Sequence, residues 1–181
     1  MKLLATVAVL GTLAIAAISN PLSAQWVWLG GGATFPTSDY GDFAKTGYNF
    51  LAGVGVDVGT SGLNVGLEGF YGQNNHDTDG DKTTPYGFLG SVGYNVSGPD
   101  ADGSVYVFGT LGALWHKFSS ETLPATDDTE AGFAYGGGVG YFFPLGGVDG
   151  WIEGRFTQAS ISSANTQYLG INAGISIPFG G

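Results

Sequence analysis

From residue 25 onward, apolar and polar or small side chains alternate one by one along the chain. The stretch 48–59 is clearest: Tyr48, Phe50, Ala52, Val54, Val56 and Val58 stand on one face, and Asn49, Leu51, Gly53, Gly55, Asp57 and Gly59 on the other. A period of two is the mark of a β-strand whose faces meet different surroundings. The same alternation sets Leu63, Val65, Leu67, Gly69 and Tyr71 against Asn64, Gly66, Glu68, Phe70 and Gly72. It sets Tyr86, Phe88, Val92 and Tyr94 against Gly87, Ser91, Gly93 and Asn95. Further along, Phe133, Tyr135, Val139, Tyr141 and Phe143 oppose Ala134, Gly136, Gly138 and Gly140, and Ile152, Gly154 and Phe156 oppose Glu153, Arg155 and Thr157. The last segment sets Leu169, Ile171, Ala173, Ile175, Ile177 and Phe179 against Tyr168, Gly170, Asn172, Gly174 and Ser176. Segments 26–35 and 105–118 are apolar on both faces, so their facing stays ambiguous. The pattern predicts eight strands, over 26–35, 48–59, 63–74, 86–96, 105–118, 133–143, 151–159 and 168–179. Most match the ~9–11 residues of a tilted membrane crossing.

Composition decides which face goes where. The chain has 181 residues, 34 of them Gly, with 14% aromatic and only 11% charged side chains; an ordinary soluble domain carries about 25% charged residues and about 7% Gly. The second face is too poor in charge and volume for a solvated surface, but it suits a narrow interior. Glycine weakens a strand, so its recurrence on one face needs a steric cause. A lumen that must also hold large side chains supplies one, and the aliphatic face then meets lipid. Tyr48, Tyr71, Tyr86 and Phe133 fall at one end of the strands, and Tyr94, Tyr141, Phe143 and Phe179 at the other, as two aromatic girdles would. The connections 36–46, 75–85 and 119–130 are long, whereas 60–62, 97–103 and 145–150 are short. That asymmetry belongs to an up-and-down transmembrane barrel with long external loops.

The remaining features set the address. Lys2, an uncharged run over 3–18 and Ala24 read as a secretory signal peptide over residues 1–24, followed by a barrel domain over 25–181. With no Cys, there is no disulfide framework or thiol nucleophile. The net charge of −10 excludes most nucleic-acid readers. Nine acids (Asp39, Asp42, Asp77, Asp79, Asp81, Glu121, Asp127, Asp128 and Glu130) fall in the long connections against Lys45 and Lys82, giving the external face about −7.

On these residues the chain resembles the small eight-stranded outer-membrane β-barrels, among them the OmpA membrane domain, OmpX and the opacity-type proteins. The resemblance runs from Gln25 to Phe179. It rests on the leader, on Gly30-Gly31-Gly32-Ala33-Thr34-Phe35-Pro36-Thr37 entering the first loop, on Gly47-Tyr48 opening the second strand, and on Glu153-Gly154-Arg155 in the seventh. It implies an all-β, monomeric barrel in a bacterial outer membrane, in contact with outer-membrane lipid and lipopolysaccharide. The last strand, ending at Phe179, would be read by the barrel assembly machinery, although Gly180 and Gly181 follow the aromatic. The family holds anchors, adhesins and a few enzymes, so the fold does not decide function.

Four charged residues are expected in the lumen: Asp57, Glu68, Glu153 and Arg155. Buried ions must be paired, and Arg155 can bridge Glu153 and Glu68. With three acids to one base, some acid must be wet, protonated, or partnered by His116 or Lys117. Such a cluster is either a structural plug or an ion path; the plug is the preferred reading. Asp77, Asp79 and Asp81, with Gly80 at the turn, partly fit a calcium loop, but Asn75 opens it and Tyr86 stands where a Glu belongs, so an acidic turn is preferred. Residues 99–103 repeat that signal more weakly. His116, Ser119, Ser120 and Glu121 hold the residue types of a hydrolytic triad at the outer rim without a recognisable spacing. No cofactor motif is present; Gly136–Gly140 lies within a strand and is no nucleotide fingerprint. The sequence therefore points to a non-enzymatic barrel acting in membrane integrity or through its acidic loops. The alternatives are a small ion-conducting pore, a lipid A-modifying enzyme and, at the level of fold, a soluble secreted calyx.

Overall fold

The computed structural model describes residues 25–97, 103–121, 128–161 and 165–179. The leader expected over 1–24, most of the acidic stretch 99–103 and Asp127 lie outside these residues. The chain forms eight strands: β1 (Gln25–Thr37), β2 (Gly47–Asp57), β3 (Leu63–Asn75), β4 (Asp81–Asn95), β5 (Ser104–Ser120), β6 (Asp128–Pro144), β7 (Asp149–Ser160) and β8 (Asn165–Phe179). Each pairs antiparallel with its neighbour in sequence, and β8 returns to β1, with Gln25 opposite Phe179 and Thr37 opposite Gln167, to close the barrel. Closure removes every sheet edge, the condition for strands to lie in hydrocarbon.

The outer wall is apolar. Phe50, Val54, Leu67, Phe88, Val92, Val139, Ile152, Leu169 and Ile171 all stand exposed on it. The structure also resolves the two ambiguous strands. In β1, Val27, Leu29 and Phe35 face out while Trp26 and Trp28 turn inward. In β5, Val105, Val107 and Leu111 face out, leaving Tyr106, Leu114 and His116 in the lumen.

Lumen glycines sit beneath lumen aromatics. A Cβ on Gly53 or Gly66 would strike the Trp28 ring, one on Gly30 or Gly174 the Trp151 ring, and one on Gly140 the Tyr106 ring, all at under 3.0 Å. The narrow interior holds large rings because the strands beside them present no side chain. Toward the external end, Leu51, Phe70, Leu89, Leu114, Ala134, Ala159 and Tyr168 pack into a buried apolar layer, capped by Tyr40 from the short 3-10 turn Ser38–Asp42.

One expectation needs correction. The strands run further at their external ends than the hydrophobic alternation indicates: β4 starts at Asp81, β5 runs to Ser120 and β6 begins at Asp128. The expected loop over 75–85 is thus a hairpin in which only 76–80 lie between strands. Above the lipid the outer face meets water, so the hydrogen-bonded ladder continues after the apolar signal has stopped. Pro85 also suggests a break, yet it lies within β4, paired with His116; the ladder to β3 lapses between Tyr71↔Tyr86 and Asn74↔Thr83, where proline has no N–H to give.

Candidate functional site

The lumen contains the chain's most concentrated polar chemistry. Arg155 projects inward from β7 and grips Glu68 on β3, across the barrel. Its Nη1 donates to Glu68 Oε1, its Nη2 donates to Oε2 at 3.0 Å, and its Nε donates to Glu153 Oε1 at 2.8 Å. All three side chains are at most 6% exposed. Two carboxylates on one guanidinium leave a formal charge of −1, which neutral donors spread. Trp28 Nε1 donates to Glu68 Oε2 at 3.3 Å, Tyr106 Oη donates to Glu153 Oε2 at 3.1 Å, and Asn172 Nδ2 donates to Glu153 Oε1 at 3.2 Å. Phe108 lies 4.9 Å beneath the guanidinium carbon, adding a cation–π contact. Sequence reasoning counted charges and so missed Trp28, Tyr106 and Asn172. Inward parity in β8 marks Asn172, whereas Trp28 and Tyr106 lie in the two strands whose facing the alternation leaves open.

Asp57 does not join this cluster. It sits opposite Asn64, four residues toward the other end of β2 from Gly53, which faces Glu68. Four residues of strand span about 13 Å, and Asp57 makes no ion pair with Arg155. It lines a cavity of about 450 Å³ below the cluster, together with Trp26, Trp28, Asn64, Ser104, Trp151 and Asp149. From the external end inward, the lumen therefore passes through the apolar layer, then the charged layer, then this cavity.

The other candidates fall apart spatially. His116 is fully buried in the lumen, with Nε2 2.9 Å from Thr166 Oγ1, and Glu130 opposite it in the ladder. Ser119 lies three residues on, on the opposite face of β5, so these two do not form a nucleophile–base pair. In the β3–β4 hairpin, Asp77 Oδ1 is 3.8 Å from Lys45 Nζ with both side chains exposed, and Gly80 takes φ +85° at the turn. Among the described residues, no three His, Cys, Asp or Glu side chains are grouped so as to hold a metal ion. His76 Nε2 lies 2.7 Å from Thr83 Oγ1, and burial holds its imidazole below the usual value even though Asp81 and Asp77 pull it up. Burial likewise pushes the Tyr40 phenol up to about 12, keeping it neutral at the mouth of the barrel.

A closed, all-antiparallel eight-stranded barrel with an apolar outside and a polar inside is the transmembrane barrel architecture of outer membranes. The sequence matches the family model described as outer membrane protein beta-barrel domain over residues 5–179, and the chain belongs to that family. Among solved structures it is similar to Neisserial surface protein A, at a TM-score of 0.70 and 14% identity over 86% of this chain and 97% of that one. It is also similar to Ail, the attachment invasion locus protein of Yersinia pestis. The nanodisc structure of Ail gives a TM-score of 0.53 at 16% identity, over 87% of this chain and 100% of that one. The Ail complex with the heparin analogue sucrose octasulfate gives 0.52 at 12% identity, over 85% and 97% respectively. At these identities the likeness is one of fold. No curated protein sequence matches the chain.

Proposed function

We propose that this protein is a non-enzymatic, monomeric outer-membrane barrel that supports the membrane and presents acidic loops outside it, with its lumen closed to ions. The observation that supports this is the stacking of a buried apolar layer on the buried Arg155 cluster, since side chains that fill a narrow barrel leave little room for water or ions. In planar bilayers the purified protein is expected to give no steady single-channel steps; reproducible steps of one size would establish the pore instead.

The external charge limits the partners. Between the strands, Asp39, Asp42, Asp77, Asp79, Glu121 and Asp127 stand against Lys45, so the loops carry about −5 and suit cationic surfaces or cation-bridged ones. The sulfated sugar seen with Ail is a polyanion, and this face should repel it. Sucrose octasulfate is expected to give no heat in calorimetry at low salt, and saturable binding would show that charge does not govern the loops. Export through the leader over 1–24, with cleavage after Ala24, and recognition of the strand ending at Phe179 by the assembly machinery complete the proposal.

A further inference from the structure

Charge above the membrane is divided between the two faces of the sheet. In the strand extensions, Asp81 turns inward with Oδ1 buried, and Glu130 stands opposite His116 on the lumen side. By the same alternation Lys82 and Lys117 point outward from β4 and β5. Lys82 pairs with Ser119 and Lys117 with Thr84, so the two lysines are diagonal neighbours on adjacent strands. The outer wall thus presents two lysines side by side beneath loops that are acidic in sum.

Directly below the lysines runs an aromatic row across three strands: Tyr71 opposite Tyr86, and Tyr86 opposite Trp115. The Tyr86 and Trp115 rings are stacked, with centroids 6.1 Å apart. Beneath that row the wall opens into a groove of about 570 Å³, walled by Phe50 and Phe88 and floored by Ala52 and Gly69. Gly69 needs no special backbone angle. A Cβ there would lie 3.6 Å from Ala52 O and 4.0 Å from the Phe88 ring, in ordinary contact. Neither packing nor conformation requires glycine at 69, and its effect is to keep the groove open.

We propose that this face is a specific site for a phosphorylated acyl lipid of the outer leaflet. A phosphate lies between Lys82 and Lys117, the aromatic row sits at headgroup level, and an acyl chain fills the groove over Gly69. Lysine stems are long enough to bring the ammonium groups down to the interface, and aromatic rings favour that depth. The proposal depends on the outer-membrane placement of the barrel and not on what the loops bind.

Native mass spectrometry of the folded full chain in detergent, with bis-phosphorylated lipid A as the probe, tests it. One retained lipid per protein is expected, with dephosphorylated lipid A and phosphatidylethanolamine lost at lower collision energy. The double variant Lys82→Gln, Lys117→Gln is expected to weaken lipid A binding by about tenfold or more. Gly69→Leu, which fills the groove, should weaken it as well, while both variants keep heat-modifiable gel mobility as the sign of a folded barrel. Equal retention of phosphorylated and dephosphorylated lipid A, or unchanged binding in the double lysine variant, would overturn the site without touching the closed-lumen proposal.

Discussion

At the scale of single residues, the interior is built by subtraction. Gly140 makes room for the Tyr106 ring, whose hydroxyl then reaches Glu153. Gly154, on the neighbouring strand, faces lipid and has nothing within 4 Å of its missing Cβ. The two glycines look alike in the sequence, but substitution should separate them. Gly140→Leu is expected to displace Tyr106 and lower stability by roughly 1–3 kcal/mol, the usual cost of overpacking. Gly154→Leu should leave stability equal or higher. Urea unfolding, followed by the folded band on an unheated gel, measures both. The ionic residues Glu68, Glu153 and Arg155 could be picked out from their strand parity alone. Asp57 has the same parity yet stands apart, because parity gives the face and not the height. The neutral donors Trp28, Tyr106 and Asn172 were invisible to a count of charges.

At the scale of elements, strand existence and facing follow from the alternation wherever lipid and lumen impose opposite demands on side chains, as in β2, β3 and β8. Where both faces carry large apolar residues, as in β1 and β5, only closure of the barrel decides which points in. External strand ends were illegible for another reason: once both faces meet water or polar neighbours, the backbone ladder has no side-chain signature. The β3–β4 hairpin shows what such an end can do. His76 binds Thr83 beside the turn, and the His76 and Asp77 amides donate to Asp81 O at 2.8 Å and Phe43 O at 2.9 Å. Because burial depresses the His76 imidazole, the folded hairpin holds fewer protons than the unfolded chain near pH 6. Its contribution is complete above the free imidazole value of ~6.5 and is lost as pH falls through the lower folded value. Protection of those two amides from hydrogen exchange, corrected for intrinsic rates, is expected to drop between about pH 7 and pH 5 in the native protein. In His76→Gln it should stay level; the same drop in that variant would assign the effect to the neighbouring acids.

At the scale of the whole molecule, the barrel is asymmetric along its axis. A buried apolar layer occupies the external half, an ionic crosslink ties β3 to β7 beneath it, and a cavity occupies the other end. The barrel class was readable from composition and period together: low charge reflects the lipid-facing wall, and glycine reflects the crowded lumen. The axial layering was not, since it depends on strand tilt and on which residues meet across the lumen. Arg155 is the centre of this arrangement. Replacing it with leucine strands two buried carboxylates, which should cost about 3–5 kcal/mol. Adding Glu68→Gln and Glu153→Gln removes those charges and should restore much of the loss, as neutral replacement of buried ion pairs commonly does. The urea midpoint of the folded barrel in Arg155→Leu therefore tests the structural role of the lumen most directly. A clear drop that the triple variant recovers is expected, and a midpoint equal to that of the native protein would contradict it.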